Sequence, residues 1–284
     1  MVAAAFFFSL MSLLVRVVGR DGQGVPTMDV VLARSLIVLA ICWTALRAKG
    51  ISPWGEEKRG ILFVRGLLGF TALTGFYYAL IHLPLADATV IQYTNPVWTA
   101  LLAAAVLSER IGRREVALSL ASLGGVILMA RPTLLFGGAG PGLPAGPVAA
   151  GVFGAVVSAA AYVTVRFLGR TEHPLVVVFW FALVGAIGSL PFVAVGFTPP
   201  GPADLVLLLG VGITTYLGQI FITMGLKEER AGKAMGVAYL QIVFAAVWGV
   251  LVLSEIPDRW TVSGALVIVA CTWALGRVRG PAPG

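Results

Sequence analysis

The sequence predicts an all-α integral membrane protein with ten transmembrane helices in two inverted five-helix repeats. Three observations carry that prediction. The chain of 284 residues is 58% hydrophobic and only 12% charged, with a mean hydropathy of +0.95; soluble domains carry about 25% charged residues. Its apolar runs are of bilayer-spanning length, about 20 residues each. Residues 84–131 also reappear, diluted but without a gap, at 230–277.

Charge and Gly/Pro clusters mark the cuts between spans. Span one, 2–18, ends at Gly19-Arg20-Asp21, and span two, 28–47, follows Pro26 and stops before Lys49-Gly50. No basic segment precedes residues 2–18, so they are expected to be the first helix rather than a cleaved leader. Glu56 to Arg59 introduce span three, 60–81; Pro84 opens span four, 84–107, which Ser108-Glu109-Arg110 closes. Span five, 113–130, ends at Arg131-Pro132. A Gly/Pro-rich connector, 132–145, containing Gly137-Gly138-Ala139-Gly140-Pro141-Gly142, falls midway and reads as a joint between a first repeat, 1–131, and a second, 146–284. Spans six and seven, 146–168 and 173–196, are parted by Gly169 to Glu172, and Pro199-Pro200-Gly201-Pro202 precedes span eight, 203–226. Lys227 to Arg230 separate it from span nine, 232–254, and Glu255 to Asp258 separate that from span ten, 259–277.

Orientation follows from the basic residues, which cluster on the cytoplasmic side of membrane proteins. With both termini cytoplasmic, fourteen fall inside: Arg47, Lys49, Lys58, Arg59, Arg110, Arg113, Arg114, Arg166, Arg170, Lys227, Arg230, Lys233, Arg277 and Arg279. Only Arg16, Arg20, Arg131 and Arg259 fall outside. That asymmetry also accounts for the net charge of +7, so no nucleic-acid partner is expected. The expected surroundings are a lipid bilayer, specifically a bacterial-type inner membrane. The expected ligand is a small-molecule substrate, and the expected state is a monomer, with a homodimer as the alternative.

Sliding 84–131 onto 230–277 pairs Ala88 with Ala234, Tyr93 with Tyr239, Val97 with Val243 and Ala100 with Ala246. Leu107-Ser108-Glu109 falls on Leu253-Ser254-Glu255, Arg113 on Arg259 and Arg131 on Arg277. Apolar identities between membrane helices are cheap, but Leu-Ser-Glu at two equivalent helix ends is not. Five spans is an odd number, so the second copy enters the membrane from the opposite side. Inverted repeats of this kind produce alternating access.

Tyr77-Tyr78-Ala79-Leu80, Pro84-Leu85-Ala86-Asp87-Ala88-Thr89, Asn95-Pro96, Ser108-Glu109-Arg110 and Gly124-Gly125-Val126 resemble the EamA repeat of the drug/metabolite transporter superfamily. Arg34 stands where that repeat usually has an arginine. A fainter copy runs through Gly225-Leu226, Ala234, Ser254-Glu255 and Gly264-Ala265, departing at Gln241 and Ile242, which replace Asn95 and Pro96. The run from Pro84 to Ile91, with Arg131-Pro132 and Leu135-Phe136-Gly137, is most similar to a branch shared with animal solute carriers. The resemblance covers the whole chain. It implies a carrier of metabolites and implies that spans one, three, four, six, eight and nine line the path.

Polar and aromatic residues recur at helical spacing on those same spans. Ser9, Ser12 and Arg16 share a face of span one; Thr71, Thr74 and Tyr78 share one of span three; Gln92, Asn95 and Thr99 share one of span four, flanked by Tyr93 and Trp98. Span six offers Ser158 and Tyr162, span eight Thr215 and Gln219, and span nine Tyr239 and Gln241. These residues apart from Arg16 and Thr99, together with Arg34, are the candidate substrate-binding set, and Pro96 is the expected kink. The structural alternative stands beside each: hydroxyls in membrane helices bond their own backbone or join helices, and Arg34 either snorkels or pairs with Asp29.

No Asp or Glu falls mid-membrane, so a substrate cation has no counter-charge. A neutral, zwitterionic or anionic substrate is expected, moved by exchange or facilitated diffusion. The residues lack HExxH, G-x-S-x-G and P-loop motifs, so neither an enzyme nor a primary pump is expected, and no cofactor or metal. The leading expectation is a secondary carrier exporting a small amphipathic metabolite, such as an amino acid, through a midplane cavity. The alternatives are an organic-anion or nucleotide-sugar-type exchanger using Arg34, and a passive channel.

Overall fold

The computed structural model describes residues 1–19, 24–109, 112–136 and 143–278. Arg20, Arg110 and Arg279 of the orientation count, and Gly137 to Gly142 of the connector, lie outside these.

The regular structure of the described residues is entirely helical, because a backbone in hydrocarbon must satisfy its N–H and C=O groups internally. The helices are α1 (Val2–Gly19), α2 (Thr27–Ala48), α3 (Arg59–His82), α4 (Leu85–Gln92), α5 (Asn95–Leu107), α6 (Arg113–Ala130), α7 (Thr133–Phe136), α8 (Ala145–Leu168), α9 (Pro174–Gly196), α10 (Pro202–Glu228), α11 (Ala231–Ala238), α12 (Leu240–Leu253) and α13 (Arg259–Arg277). The expected span boundaries agree to within two residues. Span four is α4 plus α5 and span nine is α11 plus α12; both are interrupted helices of 23 residues. Among the described residues nine spans have the length and hydropathy to cross a bilayer. The tenth, α6, is 18 residues long and carries Arg113, Arg114 and Glu115 in its first turn, which lowers its hydropathy at one end.

The repeat recurs in backbone terms over its C-terminal part, with helix bounds that agree to within one residue. The bounds of α4 shifted by 146 residues are those of α11, and Pro84 and Arg230, which precede them, have φ/ψ of −53°/139° and −55°/141°. Helices α5 and α12 both end in a left-handed residue, Ser108 and Ser254.

Packing groups the chain differently from the repeat. One unit comprises Met1, 3–70 and 164–228, and the other comprises Val2, 71–163 and 229–284. In the first, α2 packs on α9 and α10. Gly66 allows this unit close approach: a Cβ there would lie 2.9 Å from the Trp180 carbonyl oxygen. In the second, α6 crosses α13, and α11 packs on α5. A Cβ at Gly264 would lie 2.4 Å from the Gly125 carbonyl oxygen, so the two backbones touch at that crossing.

Three of the buried carboxylates hold backbone N–H groups distant in sequence. Asp29 accepts from the Thr198 N–H at 3.1 Å and Asp87 from the Thr133 N–H and hydroxyl at 3.3 and 2.8 Å. Glu172, 3% exposed, accepts from the N–H groups of Glu56, Glu57 and Lys58, which lead into α3. Such N–H groups have no partner within the helix, and an anion suits the positive end of its dipole.

Candidate functional site

The second unit carries the interrupted span, and its interruption begins in sequence. Pro96 has no N–H to donate to the Gln92 carbonyl, so the helical ladder fails there. The chain passes through Tyr93 and Thr94 with a tightened turn, the Thr94 N–H reaching the Ile91 carbonyl at 3.1 Å. The Thr94 hydroxyl donates to that same carbonyl at 2.6 Å and accepts from the Trp98 indole N–H at 3.2 Å. Trp98 therefore spends its polar group inside the helix. Thr99 likewise donates to the Asn95 carbonyl at 2.8 Å.

The two amides flanking the break behave differently. Among the described residues, Gln92 Oε1 and Asn95 Oδ1 are both buried with no hydrogen-bond partner, although an orphaned amide oxygen costs about 1–3 kcal/mol. Beside them, the Tyr93 ring stacks on Tyr239, with centroids 6.2 Å apart and planes inclined by 25°. Tyr239 is fully buried, and its hydroxyl also lacks a partner. Tyr162 of α8 is an electrostatic neighbour of Tyr93. Thus one unit brings together Gln92, Tyr93, Asn95, Tyr162 and Tyr239, five of the expected residues.

The remaining members of that unit are more scattered. Ser158 is 7% exposed on α8; Thr71, Thr74 and Gln241 are half-buried. Tyr78 lies 46% exposed, one turn from the end of α3, its ring 4.3 Å from that of His82. The second interruption, at Tyr239, has no proline. The Ile242 N–H reaches the Tyr239 carbonyl at 3.2 Å, and the burial of the Tyr239 ring against Tyr93 is what holds this turn.

The first unit holds a separate polar set. Ser9 and Ser12 donate to the Phe6 and Phe8 carbonyls at 2.7 and 2.9 Å, the self-satisfying arrangement of hydroxyls in helices. Thr215 and Thr223, 2% and 1% exposed, have hydroxyls with no hydrogen-bond partner. They lie one turn either side of Gln219, whose Oε1 accepts from Arg65 at 3.5 Å. The Arg65 guanidinium also lies 4.7 Å over the Phe181 ring, a favourable cation–π geometry. Arg34 is 8% exposed. Asp29, considered above as its partner, accepts from the Thr198 N–H instead.

Sequence reading passed over Glu115 and Arg230. Glu115, 5% exposed, forms an ion pair with Arg230 and accepts from the Gly112 N–H at 3.3 Å. Glu109 accepts from the Ala231 N–H at 2.9 Å. This cluster, with Gly232, Ser119 and the apolar side chains of Val97 and Leu101, lines a small cavity of about 40 Å³. Glu115 three residues after Gly112 is a helix-start signal; nothing local indicates Arg230 as its partner.

These features define a multi-pass integral membrane protein whose spans carry buried polar groups, as transport paths require. Comparison with known proteins sharpens this. The model of the EamA-like transporter family matches residues 1–131 and 146–276. The pseudopaline exporter CntI of Pseudomonas aeruginosa is 32% identical over 98% of this chain and 95% of its own length. Human solute carrier family 35 member G1 is 31% identical over 94% of this chain and 75% of its own length. A solved crystal structure shares the fold, with a TM-score of 0.78 at 22% identity over 97% of this chain and 96% of that one. The chain belongs to the EamA-like transporter family and is a membrane transporter.

Proposed function

We propose that this transporter exports a small amphipathic metabolite, such as an amino acid, across a bacterial-type inner membrane by alternating access. The observation that carries the reading is the pair of buried, partnerless amide oxygens, Gln92 Oε1 and Asn95 Oδ1, on either side of a break in a membrane span. Such groups are retained where a ligand donor satisfies them in part of the cycle. Tyr93 and Tyr239 beside them supply aromatic surface for an apolar moiety. Export as the direction is supported by the likeness to an exporter of P. aeruginosa. Both termini are assigned to the cytoplasm by the charge asymmetry.

A second reading, exchange of an organic anion, is favoured by Arg34, 8% exposed and with no ion pair among the described residues. Counterflow in proteoliposomes loaded with unlabelled amino acids or organic acids separates the two. Saturable uptake of a labelled neutral amino acid, with KM raised about tenfold in Gln92→Ala or Asn95→Ala, supports export of amphipathic metabolites. Uptake of anions alone, lost in Arg34→Gln, supports exchange. Saturable counterflow with neither pool counts against both, and non-saturating flux indicates a channel.

A further inference from the structure

A second cleft in the same unit lies where α6 begins and α13 ends. It measures about 530 Å³ and is lined by Arg114, Leu118, Trp273, Ala274, Arg277 and Val278. Its charge is more concentrated than its helices require. Arg277 sits in the last turn of α13, where a cation is favourable, but Arg113 and Arg114 sit in the first turn of α6, at the positive end of its dipole. The one first-turn carboxylate, Glu115, is held by Arg230 and the Gly112 N–H. Among the described residues neither Arg114 nor Arg277 makes an ion pair.

The Arg277 guanidinium is held in place, 3.4 Å from the centroid of the Trp273 ring. From Trp273 an apolar stripe runs along α13 through Val269, Leu266 and Val262, all exposed and spaced three or four residues apart. These side chains belong to a membrane span, so hydrocarbon covers them. Arg277 continues the stripe by one turn beyond Trp273, a residue type that settles at the membrane–water boundary. An apolar surface therefore leads into a mouth with two guanidinium groups and, among the described residues that line it, no carboxylate.

We propose that this cleft binds one anionic phospholipid, its headgroup phosphate between Arg114 and Arg277 and an acyl chain along the α13 stripe. Guanidinium groups suit phosphate because they donate paired hydrogen bonds in one plane. A choline headgroup would bring its own cation into a mouth that has no anion to receive it. The bound lipid neutralises the repulsion between Arg114 and Arg277 and ties the start of α6 to the end of α13.

Native mass spectrometry of the detergent-purified full chain tests this with phosphatidylglycerol and phosphatidylcholine added at equal concentration. The expected result is one phosphatidylglycerol retained in preference to phosphatidylcholine. In Arg114→Gln/Arg277→Gln its retention falls about thirtyfold, about fivefold per guanidinium. Arg114→Lys/Arg277→Lys, which keeps both charges, retains the preference in part, and Arg113→Gln, outside the cleft, retains it fully. Equal retention of the two lipids by the wild type overturns the proposal. So does undiminished retention of phosphatidylglycerol by the glutamine variant. Displacement of the lipid by excess inorganic phosphate would also overturn it, assigning the site to a soluble anion.

Discussion

Ser108 and Ser254, 146 residues apart, adopt one backbone conformation: φ/ψ of 54°/29° and 56°/28°. Each ends the second segment of an interrupted span, and the residue after each donates its N–H back into that segment, Glu109 to Ala103 and Glu255 to Gly249. The match extends the Leu-Ser-Glu repeat into three dimensions. Left-handed backbone costs a residue with a Cβ about 1–2 kcal/mol, and both copies tolerate it because the chain must reverse there.

Substitution at these two positions is expected to follow that cost. Ser108→Val and Ser254→Val add branching to a strained φ and should each destabilise by about 1–2 kcal/mol. Ser108→Gly and Ser254→Gly should be neutral or mildly stabilising. Thermal unfolding in a fixed detergent reads the difference; a valine variant as stable as its glycine counterpart would refute the strain.

The Gly125–Gly264 crossing leaves no room for a methyl group. Gly264→Ala places a Cβ 2.4 Å from a backbone oxygen, which cannot move as a side-chain tip can. A loss of about 1–3 kcal/mol is expected. Gly124→Ala is the control, since a Cβ there meets nothing within 4 Å. It should gain up to about 1 kcal/mol from helix propensity. Equal effects of the two substitutions, measured by unfolding midpoint, would remove the crossing as their cause.

Two ion pairs of the second unit should differ in strength. Glu115 and Arg230 keep 6% and 19% of their side-chain exposure, whereas Arg131 and Asp258, 2.8 Å apart, keep 46% and 37%. Glu115→Gln is expected to cost about 3 kcal/mol, the low end for breaking a buried pair. Arg230→Met added to it should recover part of that loss. Arg131→Gln should barely move the unfolding midpoint, because exposed pairs are weak and screened by salt. A double-mutant cycle with no coupling between Glu115 and Arg230 would refute this ranking.

His173 makes the start of α9 sensitive to pH. Its Nδ1 accepts from the Leu175 N–H at 3.2 Å, which requires that nitrogen to be unprotonated. Burial, then the charges of Lys49 and Lys227, lower its pKa from 6.5. The unfolded chain then binds the proton more readily, so stability rises with pH between the folded and unfolded values. The contribution is complete above 6.5 and is lost as pH falls through the lowered folded pKa. Hydrogen exchange at the first turn of α9 should therefore quicken on acidification beyond the change in intrinsic rate. His173→Asn, which caps at any pH, should abolish that dependence; a pH response that survives in the variant would exclude the imidazole.

The candidate site was only partly legible. Gln92, Tyr93, Asn95 and Tyr239 stood out because polar and aromatic groups at helical spacing are costly in hydrocarbon; of these, the Tyr93 and Tyr239 rings stack within one unit. The same rule selected Ser9, Ser12 and Trp98, whose polar atoms turn back onto their own helices. Spacing gives the face of a helix but not the rotamer. The pairing of Glu115 with Arg230 joins residues 115 positions apart, and no local pattern encodes that.

The sequence by itself determined the membrane class, the spans and the five-span repeat. Hydropathy over 20 residues, proline and charge act locally, and the bilayer fixes the length. Only the tertiary structure decided which helices pack together, that the packing units cut across the repeat, and which distant donors the buried carboxylates hold. Those outcomes depend on the close fit of small residues and on donors from distant helix ends. Such contacts form between faces that hydropathy cannot tell apart.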